Sequence, residues 1–257
     1  MKTTMEIIDT HCHLDVEAFN QDRDEVLQRA RQAGVIAQIV PAIEASGWDQ
    51  LQQLCEQQPD LYPALGLHPV FLQRHTRADL GTLAAKIATA RPVAVGEIGL
   101  DFAIKSLDRD RQTELFEAQL VIAKNAQLPV IIHARKSHDQ VIQLLQKHHL
   151  SAGTIHAFSG SLQQGVRYVE MGFKLGFGGM LTFERSSKLR RLARELPAAA
   201  LVLETDAPDM TVASHRGERN SPQYLPQVLD ALASARDEPV DRIAQVTTQN
   251  ARDVFHL

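Results

Sequence analysis

The stretch LPVIIHARKSHDQVIQLLQKHHLSAGTIHAF (128–158) decides the fold. Its first part, LPVIIH (128–133), is a short apolar run of the kind buried in a parallel sheet. HDQVIQLLQKHH (138–149) then places apolar residues at helical spacing, and GTIHAF (153–158) returns to a strand pattern. Strand, helix and strand at these lengths make a βα unit with a parallel partner. The same alternation extends outward in both directions. MEIID (5–9), VIAQIV (35–40), LYPALG (61–66), VAVGEI (93–98), FKLGFG (173–178) and LVLET (201–205) bring the candidate strands to eight. DEVLQRARQAG (24–34) and QTELFEAQLVIAKNAQ (112–127) are further amphipathic helices, and residues 221–254 read as one or two closing helices. Eight parallel strands close a (β/α)8 TIM barrel, and 257 residues match the usual size of one such domain, spanning 1–257. A doubly wound sheet would also use βα units, but no G-x-G-x-x-G opens a helix after the first strand.

Composition narrows the function classes. The chain is 44% hydrophobic and 23% charged, as for a globular enzyme, and carries a formal charge of −4, which speaks against a broad nucleic-acid-coating surface. Two cysteines are too few for a disulfide framework. No window is long and apolar enough for a membrane helix, and the N-terminal MKTTMEIIDTHCHL lacks the layout of a secretory leader. A cytoplasmic location, no membrane and no obligate protein partner are the expectations.

Chemistry-bearing residues fall at the C-terminal ends of the candidate strands, the face on which such barrels build active sites. Strand one runs into Asp9-Thr10-His11-Cys12-His13, where two histidines at i and i+2 share one side of an extended chain while Cys12 points away as a small buried residue. Strand three leads to His68, strand four to Glu97, strand five ends at His133, strand six carries His156, and strand eight runs into Glu204-Thr205-Asp206. One such histidine alone reads equally well as a hydrogen-bonding group. So many ionisable groups brought together incur desolvation and repulsion that a bound cation relieves. Imidazole with carboxylate suits Zn2+ or Mn2+, with Mg2+ tolerated. His138, His148 and His149, in a helix pattern, and His75, His215 and His256, in loops or at the terminus, have solvated surface as their default reading. So does the basic run of Arg185, Lys188, Arg190, Arg191 and Arg194, whereas Arg135 and Lys136 directly follow His133 and are placed to meet an anionic substrate.

D-T-H-C-H (9–13), G-L-H-P (66–69), G-E-I-G-L-D (96–101), P-V-I-I-H (129–133), H-A-F-S-G (156–160), E-T-D-A-P (204–208) and R-N-S-P (219–222) together resemble the TatD family of metal-dependent hydrolases, amidohydrolase-like barrels, across nearly the whole chain. F-S-G-S-L-Q-Q (158–164) and E-T-D-A-P-D-M (204–210) look closest to its YjjV branch. The resemblance implies two divalent metal ions. One is held by His11, His13 and Asp206 and the other by His133 and His156, with Glu97 bridging them. It also implies a hydrolase, described in the family as a deoxyribonuclease. Phe102 stands where many relatives carry tyrosine.

Within that expectation Asp206 orients or deprotonates the attacking water, and Glu204 faces the interior as a partner of a metal ligand or as a structural carboxylate. His68 either contacts a phosphoryl oxygen as a cationic imidazole or shapes its loop. The expected substrate is DNA. A small phosphate ester, lactone or amide is the alternative, and a non-catalytic metal-binding scaffold is a third reading.

Overall fold

The eight apolar runs lie side by side in sequence order, every pair parallel. The computed structural model describes residues 5–257, so residues 1–4 of the N-terminal stretch read above lie outside the described residues. The strands are β1 (Ile7–Asp9), β2 (Val35–Pro41), β3 (Leu61–Leu65), β4 (Ala94–Asp101), β5 (Val130–Arg135), β6 (Gly153–Ile155), β7 (Lys174–Phe177) and β8 (Leu201–Leu203). Between and after them lie α1 (Arg23–Gln32), α2 (Trp48–Gln57), α3 (Arg77–Ala90), α4 (Arg109–Ala126), α5 (His138–His148), α6 (Leu162–Glu170), α7 (Ser187–Glu195), α8 (Leu225–Arg236) and α9 (Val240–Phe255). The chain is a (β/α)8 barrel. Among the described residues no helix is long and apolar enough to cross a membrane.

Both faces of each strand are covered, by side chains inside the barrel and helices outside, so the strands are apolar throughout rather than alternating. All eight residues of β4 are buried. Three helices, α3, α4 and α6, start where the sequence offers a side-chain acceptor for their free N–H groups. The Asp108 carboxylate accepts from the N–H groups of Asp110 and Arg111 at the start of α4, and Ser161 with Gln164 forms a capping box on α6. Large side chains from the helix layer, among them Trp48, Phe116 and Tyr168, are fully buried against the sheet.

Several strand ends differ from the sequence reading, among them β5, which runs on past His133 to Arg135, and those of β4, β6 and β8 place the site. β4 continues to Asp101, so Glu97 lies in mid-strand. The pairing of β4 with β5 slips by one residue between Val95 and Ile98, a bulge whose extra residue re-aims the side chains beside it. Gly96 is required there because a Cβ would lie 2.6 Å from that of Ile131. β6 stops at Ile155, leaving His156 just beyond its end. β8 stops at Leu203, and the segment after it closes the barrel against β1. Thr10 donates its backbone N–H and its hydroxyl to the Leu203 carbonyl, each at 2.9 Å, and the Asp206 N–H donates to the His11 carbonyl at 2.8 Å.

Gly99 sits at φ +143°, and a Cβ on it would lie 2.0 Å from the His133 carbonyl oxygen, a backbone atom that cannot move without breaking the β4–β5 ladder. Gly99→Ala is therefore expected to lower stability by about 2–4 kcal/mol, read as a lower urea midpoint. A midpoint equal to that of the unaltered protein would contradict this packing.

Candidate metal centre

The residues nearest the barrel axis at its C-terminal end are imidazoles around one carboxylate. Glu97, 1% exposed, directs its two oxygens to different partners. Oε2 lies 3.1 Å from His11 Nε2 and 3.6 Å from His13 Nε2, while Oε1 lies 3.1 Å from His68 Nε2 and 3.0 Å from His133 Nδ1. Asp206 approaches from the β8 side, with Oδ1 3.7 Å from His11 Nε2 and 3.6 Å from His13 Nε2, and Oδ2 3.7 Å from His156 Nε2. The His11 and His156 rings stack with centroids 3.8 Å apart. All six residues of the expected ligand set are thus brought together.

Hydrogen-bond partners fix which nitrogens have a free lone pair. His13 Nδ1 faces the Pro41 carbonyl at 3.1 Å, which can only accept, so the neutral ring carries its proton there and turns a bare Nε2 toward the carboxylates. Bare nitrogen lone pairs facing carboxylate oxygens repel unless a cation lies between them. Burial, reinforced by His156, holds His11 well below the usual imidazole range, so its ring too is neutral and suited to ligation. Ligand atoms come within 4.8 Å of one another in the groups His11, His13, Asp206 and His11, Glu97, His156. This donor set, imidazole with carboxylate, fits divalent metal.

A third such group, His68, Glu97 and His133, is modified by the partners of His68. Its Nδ1 accepts the Val70 N–H at 3.1 Å, which leaves the ring proton on Nε2, donated to Glu97. Burial lowers the pKa of His68, so the cationic imidazole expected from the sequence is replaced by a neutral N–H donor. The side chain shapes its loop through Nδ1, one of the two roles expected of it, and through Nε2 steadies Glu97, a contact the sequence reading did not name.

The cluster calls for positive charge. Burial opposes a charge on His156, yet Glu204, Asp206 and Glu97 outweigh it and push the imidazole up to about 10. His133 is raised against its burial by Asp101 and Glu97. Burial also opposes the negative charge on Glu97, but the surrounding histidines hold it well below the usual carboxylate range. Asp206 behaves differently, since burial pushes it up to about 6 despite His156 and His13. It sits at positive φ (59°), a left-handed conformation that aspartate adopts more readily than most non-glycine residues.

Glu204 is buried and faces inward as expected. Its Oε1 accepts the Ala157 N–H at 2.6 Å and lies 3.2 Å from His156 Nδ1, though not aligned for a hydrogen bond. Its Oε2 occupies the space a side chain at Gly176 would need, 2.1 Å from where the Cβ would stand. Asp101, which sequence reasoning missed, plays the matching part on β4 and lies 3.1 Å from His133 Nε2 through Oδ2. Its signal was its place four residues beyond Glu97 in the G-E-I-G-L-D run. Two buried glutamines on the apolar face of α4 were missed as well. Gln112 brackets the Asp101 backbone, accepting its N–H at 2.8 Å and donating to its carbonyl at 3.1 Å. Gln119 does the same for Leu67, next to His68, at 2.7 and 3.1 Å.

Two surface expectations are corrected. His75 is buried and bonds the His68 carbonyl at 2.9 Å, and His138 is buried against Tyr168, its Nδ1 3.3 Å from the phenol oxygen. In both cases a backbone or hydroxyl partner compensates the ring for lost water. Cys12 is fully buried, as expected.

The model of the family described as TatD related DNase matches residues 8–256. The chain belongs to the TatD family of metal-dependent hydrolases. It is 45% identical over 253 residues to the Escherichia coli K12 protein named uncharacterized metal-dependent hydrolase YjjV, covering 97% of this chain and 98% of that one. The crystal structure of YjjV superposes with a TM-score of 0.96 at 43% identity, covering 99% of this chain and all of that one. The Erwinia tasmaniensis protein named 3'-5' ssDNA/RNA exonuclease TatD is 32% identical, covering 98% of this chain and 100% of that one.

Asp101→Asn keeps the shape of this TatD-family barrel but weakens the acceptor that orients His133. Divalent-metal affinity is expected to fall about 10–100-fold, measured by calorimetric titration of metal-stripped protein with Mn2+ or Zn2+. Unchanged affinity would remove Asp101 from the centre.

Proposed function

We propose that the chain is a divalent-metal-dependent phosphodiesterase acting on DNA, with single strands or strand ends as substrate. The observation that carries this reading is a cavity of about 560 Å³ whose lining brings His133, His156 and Asp206 together with Arg135 and Lys188. A phosphodiester seated there has its reacting phosphorus beside the cluster and cationic groups along its chain. The relationship to the Erwinia exonuclease supports the substrate class.

His11, His13 and Asp206 would hold one divalent ion and His133 and His156 a second, and the Glu97 carboxylate would serve both. Zn2+, Mn2+ and Mg2+ are all compatible with this nitrogen and oxygen set. When bound, such ions lower the pKa of a coordinated water toward neutrality and withdraw charge from a phosphoryl oxygen. Asp206 lines the cavity, so its carboxylate is placed to accept the proton of the attacking water and pass it to the leaving oxygen. Glu204 and Asp101 orient His156 and His133 from behind. His68 holds Glu97 by a neutral hydrogen bond and stays out of the proton path.

One observation favours the alternative of a small phosphate ester, lactone or amide. Phe158, Phe177, Leu181 and Met210 line the same cavity, an apolar surface that suits a compact organic group as well as a nucleobase. Metal-stripped protein is expected to leave single-stranded DNA intact and to release nucleotides when Mg2+, Mn2+ or Zn2+ is restored. Glu97→Ala and Asp206→Ala should each lower that rate at least about a hundredfold. Intact DNA alongside metal-dependent turnover of a small ester would retain the centre and reject the substrate.

A further inference from the structure

A second cavity, of about 810 Å³, adjoins the first and shares with it Arg135, Ser159 and Lys188. The first is walled largely by apolar side chains. The second is lined by Lys136 in addition to the two shared cations, and by the opening residues of α5 and α6, including Ser137, Gln140 and Gln164. Three cations therefore face one polar recess into which two helices point their N-terminal ends, each end carrying partial positive charge. Asp139 is the acidic group on its wall, and it is engaged, with Oδ1 accepting from Gln164 Nε2 at 3.1 Å and lying 3.7 Å from Arg167.

Two of the cations have a partner on the protein. Lys188 donates from Nζ to the Ser159 carbonyl at 2.6 Å, on the wall between the cavities, which leaves two ammonium protons free for a ligand. The Arg135 side chain is 63% exposed and has an Asp101 oxygen 3.8 Å from one guanidinium nitrogen. The same Asp101 oxygen holds His133, so one carboxylate joins the centre to the edge of the recess.

We propose that Arg135, Lys136 and Lys188 form an anion subsite for the phosphate one nucleotide along from the bond being cut. The inference rests on the phosphodiesterase reading and adds to it a requirement for two phosphates. Consecutive phosphates follow the two cavities, the scissile one beside the cluster with its base against the apolar wall, and the next among the cations. Small diesters with a single phosphate leave the recess unfilled and are the poorer substrates.

The test compares a thymidine dimer, joined by one phosphate, with a thymidine trimer, joined by two, using metal-loaded protein. The trimer is expected to have a kcat/KM about tenfold higher, through a lower KM, as charge-assisted hydrogen bonds provide. Combining Arg135→Ala with Lys188→Ala should bring that ratio close to one. Arg191→Ala, an exposed residue of α7 paired with Glu195 and lining neither cavity, should leave the ratio unchanged. In parallel, fluorescence anisotropy of a labelled thymidine oligonucleotide with metal-stripped protein reads the subsite without turnover. The double variant should bind more weakly, and its log–log salt slope should be shallower by about 0.7 for each contact removed. A ratio and a binding curve unmoved by the double variant, with DNA still cleaved, overturn the subsite and leave the phosphodiesterase reading intact. Weaker binding by the double variant with no diester cleaved under any metal overturns the phosphodiesterase reading, and with it the subsite's place beside a scissile bond, and leaves the three cations only as a phosphate-binding recess.

Discussion

A buried carboxylate at 1% exposure, Glu97, with four imidazole nitrogens within 3.6 Å, is the constraint on which the rest of the structure depends. Removing an ionised carboxylate from water costs several kcal/mol unless paired charge and hydrogen bonds compensate. Here the compensation comes from rings just beyond the ends of β1 and β3 and on β5, so each strand end has to arrive in a fixed register. The bulge at Gly96–Glu97 aims the carboxylate, the glycine makes room for it, and Gln112 and Gln119 of α4 clamp the neighbouring backbone.

A second tier holds those rings in turn. Asp101 stands behind His133, Glu204 behind His156, and the Pro41 carbonyl behind His13. Asp101 and the Pro41 carbonyl each let their ring keep a proton on its far nitrogen while the near nitrogen faces the centre, the arrangement that raises ligand basicity in metal sites, and Glu204 sets a negative charge 3.2 Å from His156 Nδ1. Burial alone would make these imidazoles neutral and indifferent. The carboxylates behind and between them make the same burial selective for a cation. Left-handed backbone at Lys136, Ala157 and Asp206, each just beyond a strand end, is part of the same construction. At Ala157 it aims the N–H at Glu204, and the strain of about 1–2 kcal/mol is offset by that bond.

The fold was legible in the sequence because it rests on strand-length apolar runs and on their number, which survive without tertiary information. The ligand types were legible because histidines and acids at strand ends are costly without a purpose. Register was not. Glu97 reads as a strand end from VAVGEI (93–98), but β4 continues to Asp101 because Leu100 and Asp101 pair onward with Ala134 and Arg135. That longer strand brings Asp101 to His133, a contact invisible without the pairing partner. His75 and His138 failed for the reverse reason. Loop and helix positions suggested solvent, but a carbonyl and a phenol some distance away in sequence received them in the interior. Gln112 and Gln119 look like ordinary polar helix residues until the backbone they bracket is in view.

Closure of the barrel and assembly of the centre are the same event. The seam between β1 and β8 is formed by Thr10 bonding Leu203, Asp206 bonding the His11 carbonyl, and the Asp9 carboxylate accepting from Thr205 at 2.6 and 2.9 Å. Asp9 is itself fully buried, and desolvation pushes its carboxyl up to about 7 against those hydrogen bonds, so this seam is not the arrangement that stability alone would select. Apolar residues of matching volume would close a barrel as well or better. Polar closure instead fixes the spacing between His11, His13 and Asp206, residues from opposite ends of the chain, to the tolerance a ligand set needs. The cost falls on the fold and the geometry serves the cluster, which is why the buried Asp9–Thr205 contact lies within two residues of His11 and Asp206.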